Sequence, residues 1–277
     1  MSSHPPTKPT PFEQLRGKKY FVPRHSNMKF EEAYWGVVTD PDGVERDRLS
    51  EDERKAFLAN IGTELRSIHS RTPGRILDVG CGPGYLMSGI DKEWERHGVE
   101  ISAVAAEHAA QWGKIHFGTL ESANYPDTFF DVVVLFHVIE HVPDPAALIR
   151  EIRRILKVDG LLILGTPDFD AACARRFSEQ FRLLHDPTHI SLFSEVSLRR
   201  FLRDHGYVIE HVDHPFFETS YFTSENLNRL FDLTAVSPPF YGNVITAYCR
   251  PMTKSEARDI LDHMETSLTE VFGPMTD

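Results

Sequence analysis

The chain has 277 residues, of which 41% are hydrophobic and 26% are charged, and its formal net charge is −11 at pH 7. This length and balance are typical of one large globular domain with appendages. An acidic surface repels phosphate backbones, so the composition argues against a nucleic-acid partner. The longest apolar runs are too short to span a bilayer, so we expect no membrane partner.

The cysteines indicate the redox environment. Cys81, Cys173 and Cys249 are an odd number with no close spacing, which argues against a disulfide framework and against a cysteine-based zinc site. The first ten residues have no apolar core of a secretory signal. We therefore expect a cytoplasmic location.

The N-terminal part is predicted to be an arm that precedes the main domain. Residues 1–11 are rich in proline, serine and threonine and are expected to be disordered. Residues 12–70 carry scattered aromatic side chains followed by a helix, which we interpret as a lid or cap. That helix is predicted to start at Ser50, in a capping box with Glu53, and to run to about His69.

Strand and helix patterns alternate in the region 71–250, which predicts an α/β domain with a mainly parallel sheet covered by helices on both faces. Four predicted helices start near a cap or turn residue, namely Tyr85, Ser102, Asp144 and Ser194. The predicted strands lie at 74–80, 94–101, 114–118, 131–136, 160–166, 207–212 and 243–250. The last two strands are close enough to pair antiparallel, across an aromatic-rich insertion at 213–241.

The tail at 251–277 carries its apolar side chains on one helical stripe. This pattern predicts an amphipathic helix that docks on the domain or joins two copies of the chain. We therefore expect a monomer or a homodimer.

The stretch "HVIEH", residues 137–141, matches the H-x-x-E-H pattern of some zinc hydrolases. Zinc binding through that pattern needs both histidines on one face of a helix. Here His137 directly follows a buried strand, and Pro143 and Pro145 forbid a helix that continues through the motif. The pattern therefore predicts a loop at the carboxyl end of a strand, where open α/β sheets bind ligands.

A glycine-rich turn with Asp78, Gly80, Gly82 and Gly84 lies between the first strand of the domain and a helix. Glycines let the backbone approach a ligand closely, and a helix N-terminus offers unpaired N–H groups. A dinucleotide fingerprint would place its third glycine where Tyr85 stands. The turn therefore favours a cofactor without a pyrophosphate, with an ammonium group near Asp78.

Glu100 ends the second strand of the domain, twenty residues after Gly80. In dinucleotide-binding folds, an acidic residue at this place bonds to ribose hydroxyls. Alone, Glu100 could equally be a solvent-exposed strand end. Together with the glycine turn, it predicts a ribose contact.

Five segments together resemble the ordered motifs of class I S-adenosylmethionine (SAM)-dependent methyltransferases, in particular small-molecule enzymes such as the ubiquinone-pathway O-methyltransferases. These segments are "RILDVGCGPGYL", "GVEIS", "GTLES", "FDVVVLFHVIEHVPDP" and "LIREIRRILKVDGLLILGTPD". The resemblance covers about residues 74–210. It implies a Rossmann-like, seven-stranded, mostly parallel sheet with the last strand antiparallel, SAM as cofactor and S-adenosylhomocysteine as product.

The resemblance also implies which residues hold the cofactor. Asp78 and the turn Gly80–Gly84 would hold the methionine end, Glu100 the ribose, and residues 119–120 the adenine. Many relatives carry an aspartate at the first of these two positions, and Glu121 would serve in its place. The full set of predicted cofactor contacts is Asp78, Gly80, Cys81, Gly82, Gly84, Glu100, Ile101, Thr119, Leu120, Phe136 and His137.

Methyl transfer from a sulfonium requires positioning of the reactants, and a base where the acceptor loses a proton. Histidine suits this role because its pKa lies near neutrality. We predict that His141 and His189 face the acceptor as catalytic residues, with His185 as a third candidate. Alternatively, each histidine satisfies backbone groups of its loop, or His141, His185 and Asp186 hold a divalent metal, which the reaction itself does not require.

Aromatic residues of the arm and the insertion are expected to roof the acceptor pocket or to form a satellite core. They are Tyr20, Tyr34, Trp35, Phe216, Phe217, Tyr221 and Phe222. The segment "SPPF" (237–240) resembles a motif of amine methyltransferases, but it lies about a hundred residues beyond the position of that motif. We interpret it as a loop stiffened by prolines.

The sequence thus predicts SAM-dependent methyl transfer to a small-molecule acceptor, with an oxygen of a sugar, phenol or other secondary metabolite as the leading substrate and a histidine as general base. The alternatives are an N-methyltransferase acting on a small amine, a catalytically silent SAM-binding regulatory protein, and an NAD-dependent oxidoreductase. The absent third glycine disfavours the last of these.

Overall fold

The secondary structure follows the predicted alternation, in a computed structural model that describes residues 11–15, 19–25, 32–41, 43–215, 219–239 and 243–260. The strands are β1 (Val22–Pro23), β2 (Val37–Thr39), β3 (Glu45–Asp47), β4 (Arg75–Val79), β5 (Glu95–Glu100), β6 (Lys114–Phe117), β7 (Phe130–Phe136), β8 (Leu156–Pro167), β9 (Ser191–Leu192), β10 (Tyr207–Asp213) and β11 (Val244–Pro251). The helices are α1 (Pro11–Leu15), α2 (Glu32–Trp35), α3 (Glu51–Asn60), α4 (Gly62–His69), α5 (Tyr85–Ser88), α6 (Ala103–Ala109), α7 (Pro145–Ile155), α8 (Ala172–Phe177), α9 (Glu195–Asp204) and α10 (Ser224–Arg229).

Seven of these strands form one sheet in the order β10-β11-β8-β7-β4-β5-β6. The neighbouring strands from β8 to β6 are parallel, and β11 runs antiparallel to both β8 and β10. The predicted seven-stranded, mostly parallel sheet with an antiparallel last strand is confirmed. The chain order reverses between β4 and β7, so the carboxyl ends of these strands border a crevice at a topological switch point.

An apolar core lies on each face of the sheet because successive side chains of a strand point in opposite directions. Val133 of β7 joins the core that contains Ile149 of α7, whereas Val132 joins the core that contains Ile68 of α4. These side chains are all fully buried. Each buried side chain of this kind contributes about 1.5–3 kcal/mol to folding.

Three helices begin at the predicted caps. The side chains of Ser102, Asp144 and Ser194 each accept a hydrogen bond from the backbone N–H three residues further on. Each such cap contributes about 1 kcal/mol by satisfying a donor that the helix leaves unpaired. The caps also fix where the loops at the carboxyl ends of the strands stop.

The single helix predicted from Ser50 to about His69 is instead two helices. Ile61 lies between α3 and α4, and Gly62 begins α4. Glycine has a low helix propensity, which explains the position of the break. Only half of the predicted capping box forms: the Ser50 hydroxyl accepts from the Glu53 N–H, but the Glu53 carboxylate accepts from an arginine of β3.

The arm packs against the segment that follows β8. Phe12 and Leu15 of α1 share an apolar cluster with Phe169 and Phe181. Strand β1 pairs antiparallel with β9, which begins two residues after His189, and β2 pairs with β3 in a hairpin. The arm is therefore held beside the predicted catalytic histidines.

Some expectations fall outside the described residues. They concern most of the predicted disordered tail, Phe216, Phe217, and positions 261–277 of the predicted C-terminal helix. The described part of that predicted helix is helical at 254–260. In the described part of the chain, the three cysteines are free thiols. Among the same residues, no helix has the length and apolar character needed to cross a membrane.

Candidate active site

A cavity of about 1060 Å³ lies at the carboxyl ends of β4, β5 and β7. It is lined by the glycine turn, the end of β5, the loops after β6 and β7, the loop at 182–189 and residues of the arm. Every predicted site residue except Gly84 lines this cavity. The structure therefore brings the predicted cofactor contacts and the predicted catalytic histidines to one place.

The glycine turn follows β4 and needs glycine for geometric reasons. Gly80, Gly82 and Gly84 have φ angles of +66°, +50° and +82°, a region that side chains disfavour. A methyl group on Gly82 would also lie 2.7 Å from Cη2 of Trp35, which covers the turn. Gly84 instead faces Ala109 at the end of α6, so packing rather than a ligand explains its requirement for glycine.

Two buried carboxylates face the cavity at this end. Asp78 is 5% exposed and Glu100 is 4% exposed. Burial, together with the neighbouring charge of Glu100, raises the pKa of Asp78. Burial also raises the pKa of Glu100, although its two carboxylate oxygens accept hydrogen bonds of 2.8 Å from the N–H groups of Gly82 and Ser102. A cationic group bound in the cavity would favour the charged form of both side chains.

The wall beyond Glu100 is mostly apolar. Ile101 is 53% exposed, Leu120 is buried in the sheet core, and Thr119 and Glu121 are exposed beside it. Phe136 at the end of β7 is half-buried. These side chains offer apolar surface for a flat ring and polar groups at its edge.

A cluster of histidines surrounds Glu140 at the other end of the cavity. Glu140 is fully buried, and its carboxylate accepts hydrogen bonds from Nδ1 of His137 (3.1 Å) and from the hydroxyl of Thr166 (3.0 Å). Burial alone would raise the pKa of Glu140, but the bond from His137 and the charges of His141 and His189 when protonated lower it to about 2. Glu140 is therefore a carboxylate that stays charged in the protein interior.

His189 is set up as a neutral base. Its Nδ1 lies 2.6 Å from the carbonyl oxygen of Leu183, which can only accept, so Nδ1 carries the proton and Nε2 keeps its lone pair. Burial lowers the pKa of His189, and His141 lowers it further against the opposing charges of Glu140 and Asp186. The imidazole is thus neutral at pH 7, with a fixed tautomer.

The other histidines of the loops differ in their surroundings. The ring of His141 lies 4.8 Å from that of His189, and its Nδ1 is 3.0 Å from the carbonyl oxygen of Thr188. His185 is exposed, and its Nε2 donates to the carbonyl oxygen of Glu179. His137 is exposed and has a φ of +51°, which points to a constrained turn after β7.

The alternative metal site was predicted to have His141, His185 and Asp186 as its ligands. The donor atoms that come together are instead those of Glu140, His141 and His189, which all lie within 4.8 Å of one another. The H-x-x-E-H motif itself lies on a short 3₁₀ turn, Ile139–His141, rather than on an α-helix. The expectation of a strand-end loop is therefore confirmed.

The predicted aromatic roof is only partly formed as expected. Tyr34 and Trp35 of α2 line the cavity. Tyr20 does not belong to the roof: its ring packs 5.5 Å from Phe201, and its hydroxyl donates to Asp204. Tyr20 therefore follows the second of the two expectations, because it packs against the apolar core and does not roof the pocket.

A half-buried ion network lies in the wall of the cavity. Arg46 donates to both oxygens of Asp40 and to Glu53, and Arg182 contacts Asp40 at 3.2 Å. Arg46, Asp40 and Glu53 come from the arm and α3, whereas Arg182 precedes the loop of His189. The network therefore joins the arm to the loop that carries the histidines.

Sequence reasoning missed several of these residues. Glu140 was noticed only as part of a zinc motif, although an acid between two histidines at a strand end is a usable signal. Arg46, Arg48 and Arg182 carried no motif: Arg182 contacts Asp40 across 142 positions of the chain, and Arg46 and Arg48 contact irregularly spaced residues of the arm.

A family model described as a methyltransferase domain matches residues 50–212, and the chain belongs to this family. The chain is 37% identical over 101 residues to the ubiquinone biosynthesis O-methyltransferase of Yersinia enterocolitica, covering 33% of this chain and 42% of that protein. It is 27% identical over 146 residues to an uncharacterized methyltransferase of Bacillus subtilis, covering 47% and 56%. The chain spans about half the length of the curated relatives it matches.

Solved structures agree with this family in fold. A SAM-dependent methyltransferase from Thermotoga maritima matches with a TM-score of 0.54 at 23% identity, covering 74% of this chain and 97% of that chain. A geranyl diphosphate methyltransferase in complex with SAM matches with a TM-score of 0.55 at 16% identity, covering 74% and 89%. The fold is that of class I SAM-dependent methyltransferases, whose cofactor is SAM.

Proposed function

We propose that this protein transfers the methyl group of SAM to an oxygen of a small-molecule acceptor, such as a sugar, a phenol or another secondary metabolite. The observation that carries the proposal is the single cavity that holds the glycine turn and Glu100 at one end and the histidine cluster at the other. A donor and an acceptor bound at these two ends would meet between them.

The cofactor end supplies groups that match SAM. Asp78 would bind the ammonium, and the charge of that ammonium would offset the burial of both carboxylates. Glu100 would accept from the two ribose hydroxyls, with the adenine on Ile101 and Leu120. The glycine turn lets the backbone approach the methionine chain closely.

The histidine end supplies the base. Bound SAM would supply an electrophilic methyl group to the acceptor oxygen and would leave as S-adenosylhomocysteine, with the electron pair of the broken carbon–sulfur bond on sulfur. The acceptor's proton goes to Nε2 of His189, whose lone pair is available in the neutral ring. His141 lies beside it and would orient the same hydroxyl.

Glu140 would stabilise the imidazolium that this proton transfer creates. Its carboxylate stays charged, and its oxygens lie within 4.8 Å of the nearest donor atoms of His141 and His189. In a buried setting, an opposite charge at this distance favours the protonated ring. The arm excludes water from the step by covering the cavity with Tyr34 and Trp35.

Transfer of label from methyl-labelled SAM to a fractionated cell extract tests the proposal. We expect label in the small-molecule fraction, in a product that releases no methylamine on hydrolysis. Label on an amine would indicate N-methylation, and label in protein or nucleic acid would overturn the acceptor class. Tight SAM binding with no transfer to any fraction would favour a silent SAM-binding protein.

The grouping of Glu140, His141 and His189 also favours a second candidate, the same transfer assisted by a divalent cation. A cation on these three side chains would bind the acceptor hydroxyl and lower its pKa. Treatment with EDTA, followed by addition of Mg²⁺ or Mn²⁺, separates the two candidates. Activity unchanged by EDTA supports the histidine base, and activity lost and then restored supports the cation.

A further inference from the structure

The amino-acid end of SAM carries a carboxylate as well as an ammonium. Asp78 and Glu100 face this end of the cavity, and both disfavour a second negative charge nearby. A bound SAM therefore needs a donor or a cation for its carboxylate. The glycine turn supplies no basic side chain, and Arg75, the basic residue of β4, lies at the amino end of that strand and pairs with Glu95.

Arg48 lines the cavity, and among the described residues its guanidinium forms no ion pair with a carboxylate. Its guanidinium carbon lies 4.1 Å from the centre of the Tyr34 ring, and its side chain is half-buried. The other two arginines of the wall, Arg46 and Arg182, both pair with Asp40.

Trp35 also lines the cavity and contributes a second donor. Its Nε1–H is buried and has no acceptor among the described residues. A buried N–H without an acceptor is unfavourable, so a ligand that supplies an acceptor gains the energy of that hydrogen bond. The six-membered ring of Trp35 lies against Gly82, and its neighbour Tyr34 stacks edge-on at 5.1 Å.

We propose that Arg48 and the Nε1–H of Trp35 bind the methionine carboxylate of SAM. The proposal rests on the proposed function, since it assumes that SAM occupies the cavity. A carboxylate of the acceptor could use the same donors. The contact between Trp35 and the glycine turn favours the cofactor, because that turn holds the methionine end.

This assignment gives the arm a role in cofactor binding. Arg48 lies between β3 and α3, and Trp35 ends α2, so both donors come from outside the parallel sheet. The sheet would hold the ammonium and the ribose, and the arm would hold the carboxylate. SAM would therefore bind fully only when the arm lies over the cavity.

Calorimetric titration of the full chain with SAM and with decarboxylated SAM tests this proposal. Arg48→Met keeps the length of the side chain and removes its charge, and we expect it to weaken SAM binding by about 10- to 100-fold. Trp35→Phe keeps the ring against Gly82 and removes the N–H, and we expect a loss of about 3- to 10-fold. Both variants should bind decarboxylated SAM within about twofold of the unmodified protein.

The control is Arg150→Met on the exposed face of α7, which should bind both compounds normally. Equal losses for SAM and decarboxylated SAM in Arg48→Met would overturn the proposal and indicate a structural role. Unchanged SAM affinity with reduced label transfer would also overturn it, and would assign the anion to the acceptor. Absence of SAM binding by the unmodified protein would instead contradict the proposed function.

Discussion

Replacement of Gly82 by alanine should damage the cofactor end of the cavity, and replacement of Gly43 provides a matched control. Both glycines have a positive φ, +50° and +84°. An L-residue in this region costs about 1–2 kcal/mol, so both variants should lose about that much free energy of unfolding. For a chain of this size, such a loss lowers Tm by about 2–8 °C.

The two sites differ in what the new methyl group meets. At Gly82 it lies 2.7 Å from Cη2 of Trp35, whereas at Gly43 no described atom lies within 4 Å. Overpacking of this kind costs about 1–3 kcal/mol more, so Gly82→Ala should lose about 2–5 kcal/mol in total. Displacement of Trp35 and of the N–H that bonds Glu100 should also weaken SAM binding by at least about tenfold.

Urea denaturation measures the stability of both variants, and calorimetric titration with S-adenosylhomocysteine measures their affinity. We expect equal affinity in Gly43→Ala and the unmodified protein. If Gly82→Ala bound S-adenosylhomocysteine as well as Gly43→Ala does, the glycine turn and Trp35 would not shape the cofactor site.

Three further substitutions, one control substitution and one pH titration test the rest of the site. His189→Ala should lower turnover by about 10²- to 10⁴-fold with SAM affinity nearly unchanged, and equal losses in both would exclude the base role. Because burial lowers the pKa of His189, turnover of the unmodified protein should fall with acidification at a midpoint below pH 6.5, the usual value for histidine; a midpoint above 6.5 would contradict this. Glu100→Gln should weaken S-adenosylhomocysteine binding by about 10- to 100-fold by titration, whereas Glu107→Gln on the exposed face of α6 should change it by less than about threefold. Glu140 has a pKa of about 2 in the folded protein and about 4.3 in the unfolded chain, so its charge stabilises the fold above pH 4.3 and this stabilisation is lost as the pH falls towards 2. Glu140→Gln should therefore lower the free energy of unfolding, measured in urea, by up to about 3 kcal/mol at pH 7 and by less at pH 3. An equal loss at both pH values would refute the charge of Glu140.

The sheet and the cofactor end could be predicted because their signals are local. The apolar run of β7 and the glycines after β4 are each encoded within about seven residues, and a buried strand and a positive φ permit few alternatives. The carboxyl ends of parallel strands meet at one edge of the sheet, so these local signals also located the cavity.

The arm could not be predicted because its contacts are long-range. Trp35 meets Gly82, and Asp40 meets Arg182, across large separations in the chain. Short elements such as α2 and β2 have too few residues to show a period. The same limit explains why the sequence left open whether Tyr20 roofs the pocket or packs on the core.

A crystal structure with S-adenosylhomocysteine would test most directly whether one cavity holds the cofactor beside the catalytic histidines. We expect ribose hydroxyls on the Glu100 carboxylate, the amino group at Asp78, and the sulfur directed towards His141 and His189. A nucleoside bound away from Glu100, or a sulfur directed away from the histidine cluster, would contradict this expectation.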